Sequence, residues 1–199
     1  MTRFDRYAFN ADPSFDEAAT REAFSHAVPL RTLVIYCYDP RAAEIPQAVA
    51  ARFANEVFPG QIVLDASGNR VASSTTIFPI VVAGARAVDA LRSITVAQHL
   101  FGIQNIVVVH HSHCGATTFT ADGIINAYRH EHHADISELY ERSSICIENY
   151  EASLRGDTAL IRSHAGTPPH VSIFGYFYDI DTGVLTEVVK DAAAAVPSA

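Results

Sequence analysis

Two short apolar runs organise this chain. Thr32-Leu33-Val34-Ile35-Tyr36 and Ile106-Val107-Val108-Val109 are rich in β-branched residues and carry no charge. A strand with one wet face alternates apolar and polar residues, whereas a continuous apolar run reads as a strand buried on both faces of a parallel sheet. Thr76 to Val82 is a third such run. Its Pro79 removes a ladder donor, which predicts an edge strand or a bulge. Val171 to Ile180 and Val184 to Val189 follow as strands around the turn Asp181-Thr182-Gly183. Ile62-Val63-Leu64 and Arg70-Val71-Ala72 flank Asp65–Asn69 as a short hairpin.

The segments between these runs have helical spacing. Ser14-Phe15-Asp16-Glu17 reads as a capping box, opening a helix to about Ala27 with Pro29 beyond it. Ile45 to Val57 repeats apolar residues at Ile45, Val49, Phe53 and Val57, and stops at Pro59-Gly60. Ala87 to Phe101 is a third helix, closed by Gly102. Thr120-Ala121-Asp122 starts a fourth, with Ile124, Ile125 and Tyr128 on one face. Ser137 to Tyr140 and Ile145 to Leu154 also read as helical, and Asp157 as the N-cap of Thr158 to His164. Strands alternating with helices predict an α/β fold with a mostly parallel central sheet flanked by helices. One domain over residues 1–199 is expected, with an N-terminal helical arm at about 14–27 and a frayed small-residue tail from Ala192 to Ala199.

The 199 residues suffice for a sizeable core, and 49% of them are hydrophobic. The formal charge of -8 argues against nucleic acid and anionic membrane surfaces, which reward clustered Lys and Arg. No run approaches the roughly 20 apolar residues of a membrane helix. Met1-Thr2-Arg3-Phe4-Asp5-Arg6 has no apolar signal region behind it, so a cytoplasmic location is expected. The three cysteines then stay reduced.

Two of those cysteines stand where the buried runs end. Cys37-Tyr38-Asp39-Pro40-Arg41 follows the first run, and His111-Ser112-His113-Cys114-Gly115 follows the second. Ligands of open α/β sheets bind beyond the carboxyl ends of the strands, so both motifs reach one crevice. Two thiolates and one imidazole suit zinc, and three protein ligands leave a fourth position for water, the pattern of a catalytic site. Asp39 lies two residues from a ligand and can orient that water. A bidentate pair with Arg41 would keep the carboxylate off the metal. The competing reading makes Cys37 and Cys114 core thiols and His110, His111 and His113 polar loop residues. Cys146, among apolar neighbours, reads as a buried small hydrophobe. His130-Glu131-His132-His133 reads as a solvated face. Neither a phosphate-binding loop nor a Ser-centred nucleophile elbow is found.

C-x-D-x-R after one strand and H-x-x-C-G after a later one resemble the β-class carbonic anhydrases, over roughly Leu33 to Thr118. The resemblance implies zinc on Cys37, His111 and Cys114, with Asp39 and Arg41 as a catalytic dyad. It also implies a homodimer or dimer multiple in which the N-terminal helix embraces the partner. Ala83-Gly84-Ala85-Arg86 resembles the family's N-A-G-G-R segment on the approach to the metal. Tyr38, Val82, Ala83, Gly84, His113 and Gly115 are then the expected substrate pocket.

Val82 stands where the family has Asn, and His113 where many members have Asp. Tyr38 and Pro40 replace smaller or more polar residues, and the Gly68-Asn69 hairpin resembles an insertion. The implied reaction is addition of water to a small linear molecule, carbon dioxide first, with carbonyl sulfide or carbon disulfide as alternatives. A wall made less polar by Val82 would favour the sulfur analogues. The non-enzymatic rival is a binding protein in which zinc is a structural plug. The intact Asp39-Arg41 pair speaks for the enzyme, because a structural site does not need it.

Overall fold

The structure, a computed structural model, describes residues 4–193. The tail from 194 onward, part of the segment expected to fray, lies outside the described residues. Seven strands form two sheets: β1 Thr32–Cys37, β2 Ile62–Leu64, β3 Arg70–Ser73, β4 Ile77–Val82, β5 Asn105–His111, β6 Ser172–Tyr178 and β7 Leu185–Asp191. The main sheet has the order β4-β1-β5-β6-β7. Its first four strands are parallel and β7 returns antiparallel to β6. Pro79 sits on the edge strand β4, where a missing donor costs least. The hairpin of β2 and β3 stands apart as its own small sheet.

Helices cover both faces. α2 Ile45–Arg52 packs Ile45 and Val49 against Val34, Val107 and Val109. α3 Leu91–Phe101 and α6 Tyr150–Ser163 cover the other face, where Ile94, Leu154 and Ile161 meet Leu33, Ile35 and Val108. These side chains are fully buried, and each contributes about 1.5–3 kcal/mol relative to exposure. α4 Ala121–Glu131 and the short α5 Arg142–Ile145 lie beyond the carboxyl ends of the strands. α1 Glu17–Ala27 reaches α3 through Phe24, whose ring stands 5.8 Å from Phe101, yet none of its eleven residues is buried.

Several local expectations are corrected. The cap of α1 is Asp16, which accepts the Ala19 N–H, so Ser14 and Glu17 form no capping box. α2 stops at Arg52, because Phe53 turns extended and packs its ring 5.0 Å from Phe174 on β6. Residues 87–89 form a 3-10 turn, and α3 starts only at Leu91, although Gly102 ends it in the left-handed region as expected. Ser137 to Tyr140 is a turn, not a helix. Ile145 closes α5 and Cys146 is extended, so no helix runs from Ile145 to Leu154. α6 is capped by Asn149, which accepts the Ala152 N–H, and Asp157 lies inside the helix. Tertiary burial of Asp157 overrides its preference for a cap.

Candidate metal centre

β1 and β5 are neighbours in register, with Tyr36 paired to Val109. Cys37 and His111 therefore leave the sheet side by side at its carboxyl edge, and Cys114 follows one turn later. One ligand atom from each of Cys37, His111 and Cys114 lies within 4.8 Å of the others, and all three residues are buried. The two sulfurs are 3.9 Å apart. Cys114 donating to Cys37 holds the Cys37 thiol well below its usual range and pushes that of Cys114 up. One proton thus holds two sulfurs together, the role a soft divalent cation takes over when it displaces protons from thiols. Backbone N–H groups of Asp39 and Gly84 also favour the Cys37 thiolate, the former 3.4 Å from Sγ.

His111 carries the observation that tests the fit. Its Nδ1 stands 2.9 Å from the Ser112 carbonyl oxygen, to which it donates, so Nε2 bears the lone pair. That Nε2 is buried and has no hydrogen-bond partner. A buried polar atom without a partner is costly, and this one faces two sulfurs. Two thiolates and an imidazole in this disposition fit zinc. Among the described residues no second group of three such ligands gathers, and His130, His132 and His133 are exposed.

Asp39 stands beside the centre, its Oδ2 4.0 Å from His111 Nε2. Arg41 grips it in a fork, Nε to Oδ1 at 3.0 Å and Nη2 to Oδ2 at 2.7 Å, while the Arg41 backbone N–H donates to Oδ1. These bonds hold the carboxyl at about 2, so it is ionised at neutral pH. Arg41 Nη2 also donates to the His113 carbonyl at 3.0 Å, tying the first motif to the second.

A cavity of about 1220 Å³ opens over these groups. Tyr38, Ala83, Gly84 and Gly115 line it. Gly84 has φ 58° and a Cβ there would stand 3.0 Å from the Ala116 Cβ, so this turn requires glycine. Val82 and His113 are not among the lining residues. Val82 packs against the apolar cluster under α3, because strand alternation turns it to that face. His113 takes φ 55° and points outward, its Nε2 3.9 Å from Asp181. Val82→Asn is therefore expected to lower stability by about 1–3 kcal/mol, the cost of burying an unpaired amide, and to leave the choice of substrate unchanged. Thermal unfolding and paired activity assays check this.

The sequence reading missed an apolar wall of the cavity, Phe119, Ile124, Tyr128, Ile136 and Leu139, which comes from the loop before α4, from α4 itself and from the segment after it. It also missed the roles of Tyr150, Arg86 and Asp157 behind the Cys-His-Cys group. Tyr150 accepts the Cys114 N–H at 3.4 Å. Arg86 and Asp157 form a buried ion pair, and His110 Nε2 lies 3.3 Å from the same carboxylate. Burial pulls the His110 imidazole down, so it stays neutral. The signal in the sequence is the helical spacing Tyr150, Leu154, Asp157, Ile161, which puts the acid on an apolar face.

The fold has known counterparts. A carbonic anhydrase structure from Streptococcus mutans superposes with a TM-score of 0.62 at 23% identity, covering 95% of this chain and 99% of that one. The fold is that of the β-carbonic anhydrases. In sequence, the chain is 32% identical over 100 residues to β-carbonic anhydrase 1 of Mycobacterium tuberculosis, 50% of this chain and 59% of that protein. It is 24% identical over 111 residues to a carbon disulfide hydrolase of Acidithiobacillus thiooxidans, covering 49% and 56% respectively. The chain thus spans a little over half the length of these curated relatives. No family model matches it. Within the β-carbonic anhydrase fold, the Cys-His-Cys group sits where the parallel strands open, the general position for ligands of such sheets.

Proposed function

We propose that this chain hydrates carbon dioxide reversibly to bicarbonate, with zinc held by Cys37, His111 and Cys114. The observation that carries the reading is the partnerless, buried His111 Nε2 facing two sulfurs beside an ionised Asp39. Zinc in that place supplies a Lewis acid that acidifies a water molecule. Asp39 accepts a hydrogen bond from the attacking oxygen and aims its lone pair into the cavity. Arg41 holds both carboxylate oxygens, so Asp39 orients the nucleophile and does not take its place on the metal. Ala83, Gly84 and Gly115 bound the space left for a small linear substrate. The product is bicarbonate and a proton leaves to solvent. Stopped-flow hydration with measured zinc content tests this; zinc-loaded protein with no hydration above background would overturn it.

A second reading is hydrolysis of carbon disulfide or carbonyl sulfide to carbon dioxide and hydrogen sulfide. The apolar wall of Phe119, Ile124, Ile136 and Leu139 favours it, because polarisable sulfur accepts hydrogen bonds poorly and loses little there. The similarity to a carbon disulfide hydrolase points the same way. Sulfide release assayed beside hydration decides the order, and absence of both activities in zinc-loaded protein returns the structural-plug alternative.

The assembly we propose is a homodimer closed by the N-terminal arm. α1 has no buried residue, and Tyr7, Phe9 and Phe15 ahead of it are exposed, which leaves an apolar face to be covered. Light scattering at micromolar concentration is expected to give a dimer or its multiple, and removal of residues 1–27 to give a monomer. A compact monomer for the full chain would refute the arrangement.

A further inference from the structure

Asp157 is 2% exposed in the middle of α6, among Leu154, Ile161 and the apolar cluster of the sheet. A carboxylate at such a depth is costly unless it is paired and its oxygens are hydrogen-bonded. Both conditions hold. Arg86 Nε donates to Oδ2 at 3.0 Å and Nη2 to Oδ1 at 3.4 Å, and the Ala87 N–H donates to Oδ1 at 3.2 Å. Arg86 then spends its Nη1 on two carbonyls, Ser143 at 2.9 Å and Cys146 at 2.8 Å.

The placement of these bonds matters. Arg86 directly follows the Ala83–Ala85 turn, which is one wall of the cavity. Ser143 and Cys146 bracket Ser144 and Ile145, which belong to a second wall. One guanidinium therefore ties together two walls that lie 57 and 60 residues apart in the chain. Its planar fork can do this only while a second group fixes its plane, and Asp157 fixes it. The same Oδ2 lies 3.3 Å from Nε2 of His110, the neighbour of His111. Two turns earlier on the same helix face, Tyr150 receives the Cys114 N–H. An apolar pair of similar volume would fill this space at lower electrostatic cost, but would hold neither carbonyl.

We infer that Asp157 is the positioning residue of the metal centre: through Arg86 it sets the distance between the Ala83–Ala85 wall and the Ser143–Cys146 wall. The turnover part of this inference rests on the function proposed above; the wall geometry does not.

The experiment compares wild type, Asp157→Asn and the double variant Arg86→Met, Asp157→Leu, each loaded with cobalt. Three quantities are read: cobalt per chain, hydrogen exchange of the amides from Ser144 to Ile147, and kcat and KM for carbon dioxide. The double variant leaves no buried charge unpaired, so it is expected to fold and bind cobalt even where Asp157→Asn does not. Exchange at 144–147 is expected to rise at least about tenfold, and kcat/KM to fall about 10–100-fold, as for other groups that orient a metal site. Wild-type exchange and wild-type kcat/KM in the double variant would overturn the inference, because the pair would then serve stability alone. A double variant that fails to fold would overturn it as well. If wild-type protein turns over neither carbon dioxide nor its sulfur analogues, the proposed function fails, and the exchange measurement still decides the positioning role.

Discussion

Replacing Cys37 or Cys114 by serine is expected to remove both the metal and all measurable turnover. A serine hydroxyl stays protonated at neutral pH and is a poor ligand for zinc, whereas a thiolate binds it through a soft sulfur. Cys114 also donates to Cys37 across 3.9 Å, so losing Cys114 raises the cost of ionising Cys37. Zinc content should fall from about one per chain to near background, measured by plasma emission on dialysed protein. His111→Ala should behave in the same way, because no other described imidazole stands in the group of ligands. Cys146→Ala should keep the full metal content, since Cys146 lies outside that group. Full occupancy in a Cys37→Ser, Cys114→Ser double variant would reject the assignment.

Asp39→Asn is expected to keep zinc and lose about 10²–10⁴-fold in kcat, the range for removing a positioned proton acceptor. The amide keeps the size of the carboxylate, but it is neutral and has a single oxygen, so it cannot accept from the nucleophile and from both arms of the Arg41 fork. Arg41→Ala is expected to be as damaging for a different reason. Freed from the fork, Asp39 Oδ2 starts 4.0 Å from His111 Nε2 and can swing onto the open metal position. Cobalt spectra should separate the two cases: unchanged for Asp39→Asn, and shifted by a fourth protein ligand for Arg41→Ala. Turnover at the wild-type rate in either variant would reject both roles.

The gathering of Cys37, His111 and Cys114 at one sheet edge, and the sheet that carries them, were legible because both depend on local pattern. A continuous β-branched run has few fates other than a buried strand, and a motif placed just after such a run leaves the sheet at its carboxyl edge. Thus Thr32–Cys37 and Asn105–His111 could be read from the chain alone, as could Gly102, where a left-handed residue must end a helix. The Asp39-Arg41 pair was legible for a similar reason: the fork closes between residues two apart, within one 3-10 turn.

The back of the site was not legible. Asp157 looks like a cap by composition, and only long-range packing against Arg86, 71 residues away, makes it an interior residue of α6. Nor could local pattern decide which way Val82 faces. That depends on the parity of β4 against its neighbour β1, which register alone sets. Ser137 to Tyr140 fell to a turn, and the extended backbone at Cys146 presents its carbonyl to the buried Arg86 guanidinium. Short-range chemistry and strand burial were written into the chain by residue type and spacing. The walls that shape the cavity belong to contacts between segments far apart in sequence, whose energies exist only once the sheet has closed and its core is packed.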